Sequence, residues 1–376
     1  MLVATSVLCS GTAMAADRVS GARAIRLHQG RSKGVKALIR KLADRYAGIA
    51  RLYAVARQWY HHVRKLWYFA SDVRSACRHM RWSEGGRARY WACSAELLFQ
   101  YHKLEKGLCM PGEPRFFGYD PAIATLDLLV QWRARDYPRE DPVYLGALEA
   151  LWAYRQRLER TPPPRGEILL RRLDAELEGA PASQDASRTP VPVLPAISGN
   201  ASGMFHELML ARRSVRDFDT RPVDPAAVAR AVAVAQWSPS ACNRQPARVH
   251  AYSQRTQIDA LLALQNGNRG FGQTVASLLV LTAETSGFFD ASERNEPYVD
   301  GGLFAMALIL ALQAEGIASC CLNWCVAPAE DQRAHALGGI ADSERIVMFI
   351  AIGHAATQAL VPRSPRRALQ TVYVCH

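Results

Sequence analysis

The sequence of 376 residues lacks several features that define large classes of protein. No run of about 18 uninterrupted apolar residues is present, which argues against a transmembrane helix. The 9 cysteines are odd in number and never spaced as Cys-x-x-Cys, so they form neither a disulfide framework nor a zinc-binding pattern. These absences favour a reducing, cytoplasmic compartment with free thiols, and we expect no metal site.

Residues 1–16 match a secretory signal only in part. Their middle is apolar and they end in small residues, but the basic start that is typical of such a signal is missing. Two interpretations stay open, a true signal and an irregular N-terminus, and the sequence favours the second.

Lysine is absent from residue 196 onward, where 15 arginines are balanced by 15 acidic residues. The whole formal net charge of +12 therefore lies in residues 1–195, which hold 31 basic and 19 acidic residues. Two parts of a chain that differ this much in charge indicate two domains with different partners.

The basic first part is predicted to be mainly helical. Apolar residues recur every three or four positions over residues 35–80, and further helices are predicted at 90–106, 121–134, 143–160 and 166–178. A stretch rich in Pro, Ser, Ala and Gly follows. We therefore expect a basic helical domain over residues 1–180, a linker over 181–203 and a second domain over 204–376.

Aromatic and basic residues are interleaved in the helical segment at 35–80. The aromatic residues are Trp59, Tyr60, Trp67, Tyr68 and Phe69, and the basic ones include Arg57, Arg64, Lys65 and Arg74. Three interpretations fit this pattern: a packed helical domain with solvated charges, a surface for anionic membranes or another anionic partner, and a nucleic-acid-binding surface. The sequence favours the packed domain, then the anionic surface, and favours nucleic acid least.

The second domain mixes helices with strands, which predicts an α+β fold. Helices are predicted at 204–213, 225–236 and 300–316, and strands at 249–253, 277–284 and 344–354.

Two clusters of arginine and serine lie near the two ends of this second domain. The first, within ARRSVRDFDTRPV, contains Arg212, Arg213, Ser214 and Arg216; the second, PRSPRR at 362–367, contains Ser364 and Arg366. One such cluster alone fits an exposed helix end. Because guanidinium groups bind phosphate through several fixed donors, two clusters that bracket a neutral domain indicate a phosphate site.

A polar turn, SPSACNRQP at 238–246, comes just before a predicted strand. Asn243 and Gln245 offer the paired donors and acceptors that match a heterocycle with alternating C=O and N–H groups. Taken alone, the turn is equally explained as an ordinary polar loop.

Together these segments resemble the nitroreductase-like FMN-dependent flavoproteins. The resemblance is carried by RRSVRDF…RPV, SPSACNRQP, DGGLFAMALILALQAEGIASCCLNW, IVMFIAIGH and PRSPRR, in that order across residues 204 to about 370. It implies a nitroreductase-like FMN-binding domain, a homodimer with FMN at the subunit interface, and ping-pong hydride transfer. NAD(P)H would reduce the flavin, which would then reduce a second small-molecule substrate.

The resemblance also assigns the FMN contacts to particular residues. The phosphate and ribityl chain fall to Arg212, Arg213, Ser214 and Arg216, with a C-terminal phosphate contact from Arg366 and Ser364 beside it. The segment contributed by the partner subunit corresponds to Pro239, Ser240, Asn243 and Gln245. The pyrimidine edge falls to Asn268 and Arg269, and the loop beneath the reactive ring nitrogen to Cys321, Leu322, Asn323 and Trp324.

Residues 288–300 lie where the family varies its active-site cover. Phe288, Phe289, Arg294 and Tyr298 are therefore the candidates for substrate contact. Ala247 stands where the family often has a tryptophan, which would widen the pocket. No dedicated acid or base is predicted, because the cofactor itself carries this kind of chemistry.

Two other functions remain open. The second domain could hold flavin without turnover while the basic half binds a partner, or it could carry out oxygen-dependent oxidation or chemistry on the flavin itself. The segment FQYHKLEKGLCMPGEPRFFGY, at 99–119, is similar to one found before the flavin domain in some long nitroreductase-like proteins.

Overall fold

The computed structural model describes residues 47–80, 88–111, 113, 115–163, 167–178, 190–191 and 199–376. The signal-like residues 1–16, the start of the helix predicted at 35–80 and most of the predicted linker lie outside the described residues. Internal contacts divide the chain into two compact units, residues 1–71 and 72–376. The domain boundaries near 180 and 203 therefore stay a prediction.

Helix α1 (Ala47–His79) carries a stripe of exposed apolar side chains. Leu52, Trp59, Leu66 and Val73 recur every seven residues, so they fall on nearly the same side of the helix. Their side chains are all more than half exposed; Trp59, for example, is 67% exposed.

Four further helices pack around one apolar core: α2 (Ala88–Leu108), α3 (Tyr119–Ala134), α4 (Pro142–Arg160) and α5 (Glu167–Leu177). We call them the helical bundle. Trp132 and Tyr154 are its largest fully buried side chains. Helix α4 begins at Pro142 because Asp141 caps it, accepting a hydrogen bond from the Val143 backbone N–H at 2.8 Å. The bundle confirms the predicted helical N-terminal region.

The rest of the chain is built on a four-stranded antiparallel sheet in the order β1-β2-β4-β3. The strands are β1 (Ala247–Tyr252), β2 (Ser277–Glu284), β3 (Ala318–Asn323) and β4 (Glu344–Gly353). The sheet follows helices α6 (Ala201–Ala211) and α7 (Pro225–Ala235). Strand β3 lies at one end of the sheet, so its outer edge is open to pairing with other segments.

Helices cover both faces of the sheet. Leu278 and Val280 of β2 pack in a core with α8 (Arg255–Leu262) and α10 (Pro328–Gly338). Their neighbours Leu279 and Leu281 point to the opposite face, which packs against α7 and α9 (Glu296–Ala314). This arrangement confirms the predicted α+β fold class.

Some elements of this second part were missed by sequence patterns. Strand β3 was expected as part of a loop, and α8, α10 and the short α11 (Leu369–Val372) were not predicted. Strand β3 has small residues and little β-propensity, so its extended form depends on pairing with β4, in which Cys321 lies opposite Ile350.

One helical stretch in the described part of the chain, Ala291–Ala314, is long and apolar enough to cross a membrane by length and composition. Half of its most apolar window is buried within the protein. Because α9 makes up most of this stretch and packs on the sheet and on α7, its apolar character is explained by the core.

Candidate active site at the edge of the sheet

The arginine-rich stretch after α6 lies along the outer edge of β3. Arg212 leaves the helix in an extended conformation, and the Val215 backbone N–H donates to the Ser319 carbonyl at 3.1 Å. Ser214 pairs with Ser319 in a parallel bridge, and the following Phe218 is buried. Backbone pairing therefore fixes this stretch beside the strand.

The arginines of this stretch form no ion pair with a carboxylate of the described residues. Among the residues that the structure describes, none of the ion pairs involves Arg212, Arg213 or Arg216. Seven other arginines beyond residue 204 pair with Asp or Glu: Arg221, Arg230, Arg244, Arg248, Arg255, Arg333 and Arg345. Within the described part of the chain, the Arg216 side chain donates to the Ser214 carbonyl, at 3.3 Å. We call Arg212, Arg213, Ser214 and Arg216 the arginine cluster, a donor set suited to an anion.

Two cysteines of β3 lie within electrostatic range of the arginine cluster. Desolvation raises the pKa of the Cys321 thiol to about 11, although the residue keeps some exposed surface, and the charge of Arg212 opposes this shift. Burial likewise raises the pKa of Cys320, opposed by Arg216. Both thiols are therefore protonated at neutral pH, which argues against a thiolate nucleophile here.

The loop after α8 is tied to the end of β3. The Gln265 side chain, 5% exposed, donates to the Asn323 carbonyl at 2.9 Å. Asn268 donates through its amide to the carbonyls of Leu262 and Gln265, at 2.7 and 2.8 Å. The loop is thus fixed beside the strand, and the amide donors of Asn268 are used within it.

The polar turn before β1 is held by its own hydrogen bonds. The Gln245 backbone N–H donates to the Ser240 hydroxyl at 3.0 Å, and the Gln245 side chain lies 3.4 Å from the Asn243 carbonyl. Cys242, Asn243 and Gln245 all have positive φ angles, of 53°, 56° and 51°. The turn therefore has a specific shape, and Gln245 lies exposed on it.

A buried carboxylate anchors the same turn to α9. Both oxygens of Asp300, which is 4% exposed, accept the Ala241 backbone N–H, at 3.1 and 3.2 Å. Burial raises the pKa of Asp300 to about 6, and the hydrogen bond from Ala241 only partly offsets that effect.

A family comparison covers the segment that contains these features. Residues 209–354 match the model of the nitroreductase family. These residues are a nitroreductase-family domain. The match spans the arginine cluster, the polar turn and all four strands of the sheet.

Solved structures give distant likenesses to the same part of the chain. A nitroreductase family protein from Streptococcus pneumoniae is 21% identical, over 46% of this chain and 100% of that chain, with a TM-score of 0.39. A Desulfovibrio desulfuricans protein, described as a nitroreductase in complex with FMN, is 18% identical over 48% of this chain and 98% of that one, with a TM-score of 0.39. A nitroreductase-like family protein from Bacillus cereus is 18% identical over 48% of this chain and 96% of that one, with a TM-score of 0.38. No curated protein matched the chain.

The nitroreductase domain brings three of the predicted groups together at β3. The arginine cluster pairs with Ser319, the loop that carries Asn268 and Arg269 is tied to Asn323, and Trp324 follows directly. Cys321, Leu322 and Asn323 lie in a strand rather than in the expected loop, because they pair with β4. Trp324 stacks on Phe349, with ring centroids 4.3 Å apart, and donates to Asp331 at 2.7 Å. Its indole therefore supports the domain core.

The other two predicted groups make their described hydrogen bonds away from the arginine cluster. Pro239, Ser240, Asn243 and Gln245 lie by α9, where Ala241 contacts Asp300. Ser364 and Arg366 are exposed in a C-terminal segment, where Arg366 donates to the Ser364 carbonyl at 2.5 Å. No hydrogen bond or ion pair among the described residues joins them to Arg212. Convergence of both arginine-serine clusters on one phosphate stays a prediction.

The candidates for substrate contact have different environments. Phe288 is fully buried, and the Arg244 guanidinium carbon lies 4.6 Å from the centroid of its ring; its contact with a substrate stays a prediction. Phe289 and Tyr298 are 40% and 47% exposed, and Arg294 is also exposed. All four remain candidates, of which the last three have exposed side chains.

Sequence patterns missed the residues that fix the polar turn. Arg244 is 3% exposed and pairs with Glu293 at 2.5 Å. Its position between Asn243 and Gln245 in the NRQP motif indicated a role in the turn. Sequence alone, however, does not distinguish a buried arginine from an exposed one.

We expect the protein to become less stable as the pH rises, because the buried Asp300 side chain then loses its proton. Its pKa is higher in the folded protein, about 6, than the ordinary 3.8, so the folded state binds more protons between these values and the free energy of unfolding falls as pH increases. The effect is at most about 3 kcal/mol. The variant Asp300→Asn should therefore have a higher free energy of unfolding, relative to the original protein, at pH 7 than at pH 4. Denaturant unfolding at the two pH values measures this difference.

Asn295→Ala, at the exposed position just before α9, removes no ionisable group and is the control, which should show no such pH-dependent difference. A constant effect of Asp300→Asn across this pH range would contradict the assignment.

Proposed function

We propose that the nitroreductase domain is an FMN-dependent oxidoreductase. In this proposal NAD(P)H reduces the flavin and a second small molecule reoxidises it, in a ping-pong sequence. The observation that carries the proposal is the arginine cluster: guanidinium groups without an ion pair in the described chain, and a hydroxyl, on the edge of β3, where backbone pairing fixes the position of the segment. This donor set fits the phosphate of FMN.

FMN would supply the hydride acceptor and donor. Arg212, Ser214 and Arg216 would bind its phosphate and ribityl chain, and Asn243 and Gln245 of a partner subunit would contact its ring system. Beyond Ser319 the outer edge of β3 has no strand partner among the described residues, so its backbone N–H groups are available to a ligand. The neutral thiols of Cys320 and Cys321 agree with a site that uses no cysteine nucleophile.

Two alternatives make different predictions. A flavin-binding scaffold would bind FMN but would not be reduced by NAD(P)H, and an oxygen-dependent oxidase would use its substrate as the reductant. The arginine cluster supports FMN binding in all three cases, so reduction by the nicotinamide distinguishes them.

Replacement of Arg212 should weaken FMN binding. A charge-assisted hydrogen bond contributes about 1.5–3 kcal/mol, so Arg212→Gln should raise the dissociation constant of FMN by about tenfold to about a hundredfold. The measurement is fluorescence titration of apo-protein with FMN. Arg333→Gln is the matched control, since Arg333 is exposed on α10, outside the proposed interface helices, and pairs with Glu330. An unchanged dissociation constant for Arg212→Gln would contradict the proposed phosphate site.

The proposed reaction can be tested on the original protein loaded with FMN. Anaerobic addition of NADH or NADPH to the FMN-loaded protein should bleach the visible flavin absorbance, and a suitable acceptor should restore it. FMN binding without bleaching by either nicotinamide would rule out the proposed reductant and favour the scaffold or the oxidase.

We also propose that the protein is a homodimer through α6, α7 and α9. Helices α6 and α7 both pack against α9. These helices leave large apolar side chains exposed: Met204, Phe205, Met209, Leu210, Val234, Val299, Leu303 and Met306, with Trp237 just after α7. Trp237 is 90% exposed. An apolar surface of this kind is typical of a subunit interface.

A charge introduced into this surface should dissociate the dimer. Light scattering at micromolar concentration should give a dimer for the original protein and a monomer for Leu303→Arg, because an arginine buried without a partner is costly. Leu337→Arg is the control, since Leu337 is similarly exposed on α10, which covers the other face of the sheet. A dimer that persists in Leu303→Arg would rule out this interface.

A third proposal concerns location: a cytoplasmic protein that binds anionic membrane surfaces through α1. The seven-residue stripe of α1 exposes Leu52, Trp59, Leu66 and Val73. The helix also carries six basic residues, Arg51, Arg57, Arg64, Lys65, Arg74 and Arg78, and one acidic residue, Asp72. A helix with exposed aromatic and aliphatic side chains and excess positive charge fits an anionic lipid surface better than solvent.

Binding to such membranes should be sensitive to salt. Each basic residue near the surface contributes about 1 kcal/mol, within a Debye length of about 8 Å at physiological salt. Full-length protein should sediment with phosphatidylserine-containing vesicles at low salt, and the triple substitution of Arg57, Arg64 and Lys65 by Gln should abolish this. Substitution of Arg221, Arg230 and Arg333 by Gln, an equal change in charge, is the control. Equal binding by both variants would contradict a role for α1.

A further inference from the structure

The polar turn at 240–245 has a strained backbone. Among the described residues other than glycine, five have positive φ, and three of these are Cys242, Asn243 and Gln245. Side chains with a Cβ atom rarely adopt this conformation, because the Cβ atom crowds the following carbonyl. Surrounding contacts must therefore hold the turn in its observed shape.

Arg244 makes the contacts that hold it. Its Nε donates to the Ala241 carbonyl at 3.0 Å, which closes the turn on itself. Its Nη1 donates to the Gly287 carbonyl at 2.9 Å, and its Nη2 donates to Glu293 at 2.5 Å. One buried guanidinium thus connects the turn to the segment that leads into α9.

Helix α2 of the helical bundle packs over the same guanidinium. The Arg244 guanidinium carbon lies 5.7 Å from the ring centroid of Phe99, and the Phe99 and Phe289 rings are 5.2 Å apart. The backbones also approach closely, because a Cβ atom added at Gly287 would lie 2.9 Å from the Ala95 Cβ. The bundle therefore encloses Arg244 and keeps it from water.

We propose that Arg244 is a positioning residue through which α2 keeps the turn in the shape that presents Asn243 and Gln245 to the flavin. This inference rests on the proposed FMN site. It gives a role to Phe99, the first residue of the FQYHKLEKG segment, which the flavin chemistry by itself does not explain. The helical bundle thereby contributes to cofactor binding without touching the cofactor.

Removal of the guanidinium should weaken FMN binding. Arg244→Met keeps most of the side-chain length but loses every donor, and it should raise the dissociation constant of FMN at least tenfold. Arg244→Lys and Phe99→Leu, which are milder, should give smaller increases in the same direction. Arg333→Met, on the exposed surface of α10, should leave the constant unchanged. Thermal unfolding of each apo-protein checks that the variants are folded.

A rescue variant separates positioning from general stability. Glycine adopts positive φ without steric cost, so Cys242→Gly should restore part of the FMN affinity of Arg244→Met. The single variant Cys242→Gly should bind FMN as the original protein does. If Arg244→Met only lowered stability, its FMN affinity would be unchanged once it was folded, and that result would overturn the proposal.

The positioning role of Arg244 can also be tested without flavin. Cys242 is partly exposed in the turn, and its alkylation by iodoacetamide in apo-protein reports how firmly the turn is held. Arg244→Met should alkylate at Cys242 several times faster than the original protein, as measured by peptide mass spectrometry. Equal rates would overturn the positioning role. An original protein that binds no FMN would instead refute the proposed function, and with it the part of the inference that concerns flavin.

Discussion

Pairing on both sides of β4 is the interaction on which the nitroreductase domain depends. Strand β4 pairs with β2 along one edge and with β3 along the other, and β3 in turn pairs with the arginine cluster through Ser319. Without β4, β3 would have no partner to hold it extended, and the arginine cluster would have no fixed edge. The position of the proposed phosphate site is therefore a consequence of sheet order.

A buried carboxylate stabilises the far end of the same strands. Glu344 is 1% exposed and accepts hydrogen bonds from His250 at 2.6 Å and from Thr282 at 2.5 Å, and it also pairs with Arg248. Burial alone would raise the pKa of Glu344, but these hydrogen bonds and charges lower it below the usual value. One ionised group thus links β1, β2 and β4, as a buried charge requires compensating partners.

The arginines of the domain fall into two groups that differ in whether a carboxylate pairs with them. Arg244 and Arg248 are paired with carboxylates and take part in packing. The arginine cluster has no such partners in the described chain, so its charge is available to a ligand. The helical bundle contacts the first kind of arginine, since Trp91 lies 5.2 Å from Arg248 and Phe99 lies near Arg244. The bundle is thereby joined to the scaffold of the proposed site.

The sequence by itself determined the local elements and the family. Helices α3 and α4 and strand β2 were predicted to within two residues, because amphipathic spacing and continuous apolar residues are local signals. The motif order predicted the nitroreductase-like domain, and with it the arginine cluster. These features depend on residues that are close together in the chain.

Only the tertiary structure decided which of the predicted residues are free to act. Asn268 uses its amide within its own loop, Phe288 is buried beneath Arg244, and β3 is a strand because β4 lies beside it. Each of these outcomes depends on a partner distant in sequence, or on burial that such partners create. A pattern of residue types specifies which side chains can bind a flavin, but the packing around them determines which ones remain exposed to do so.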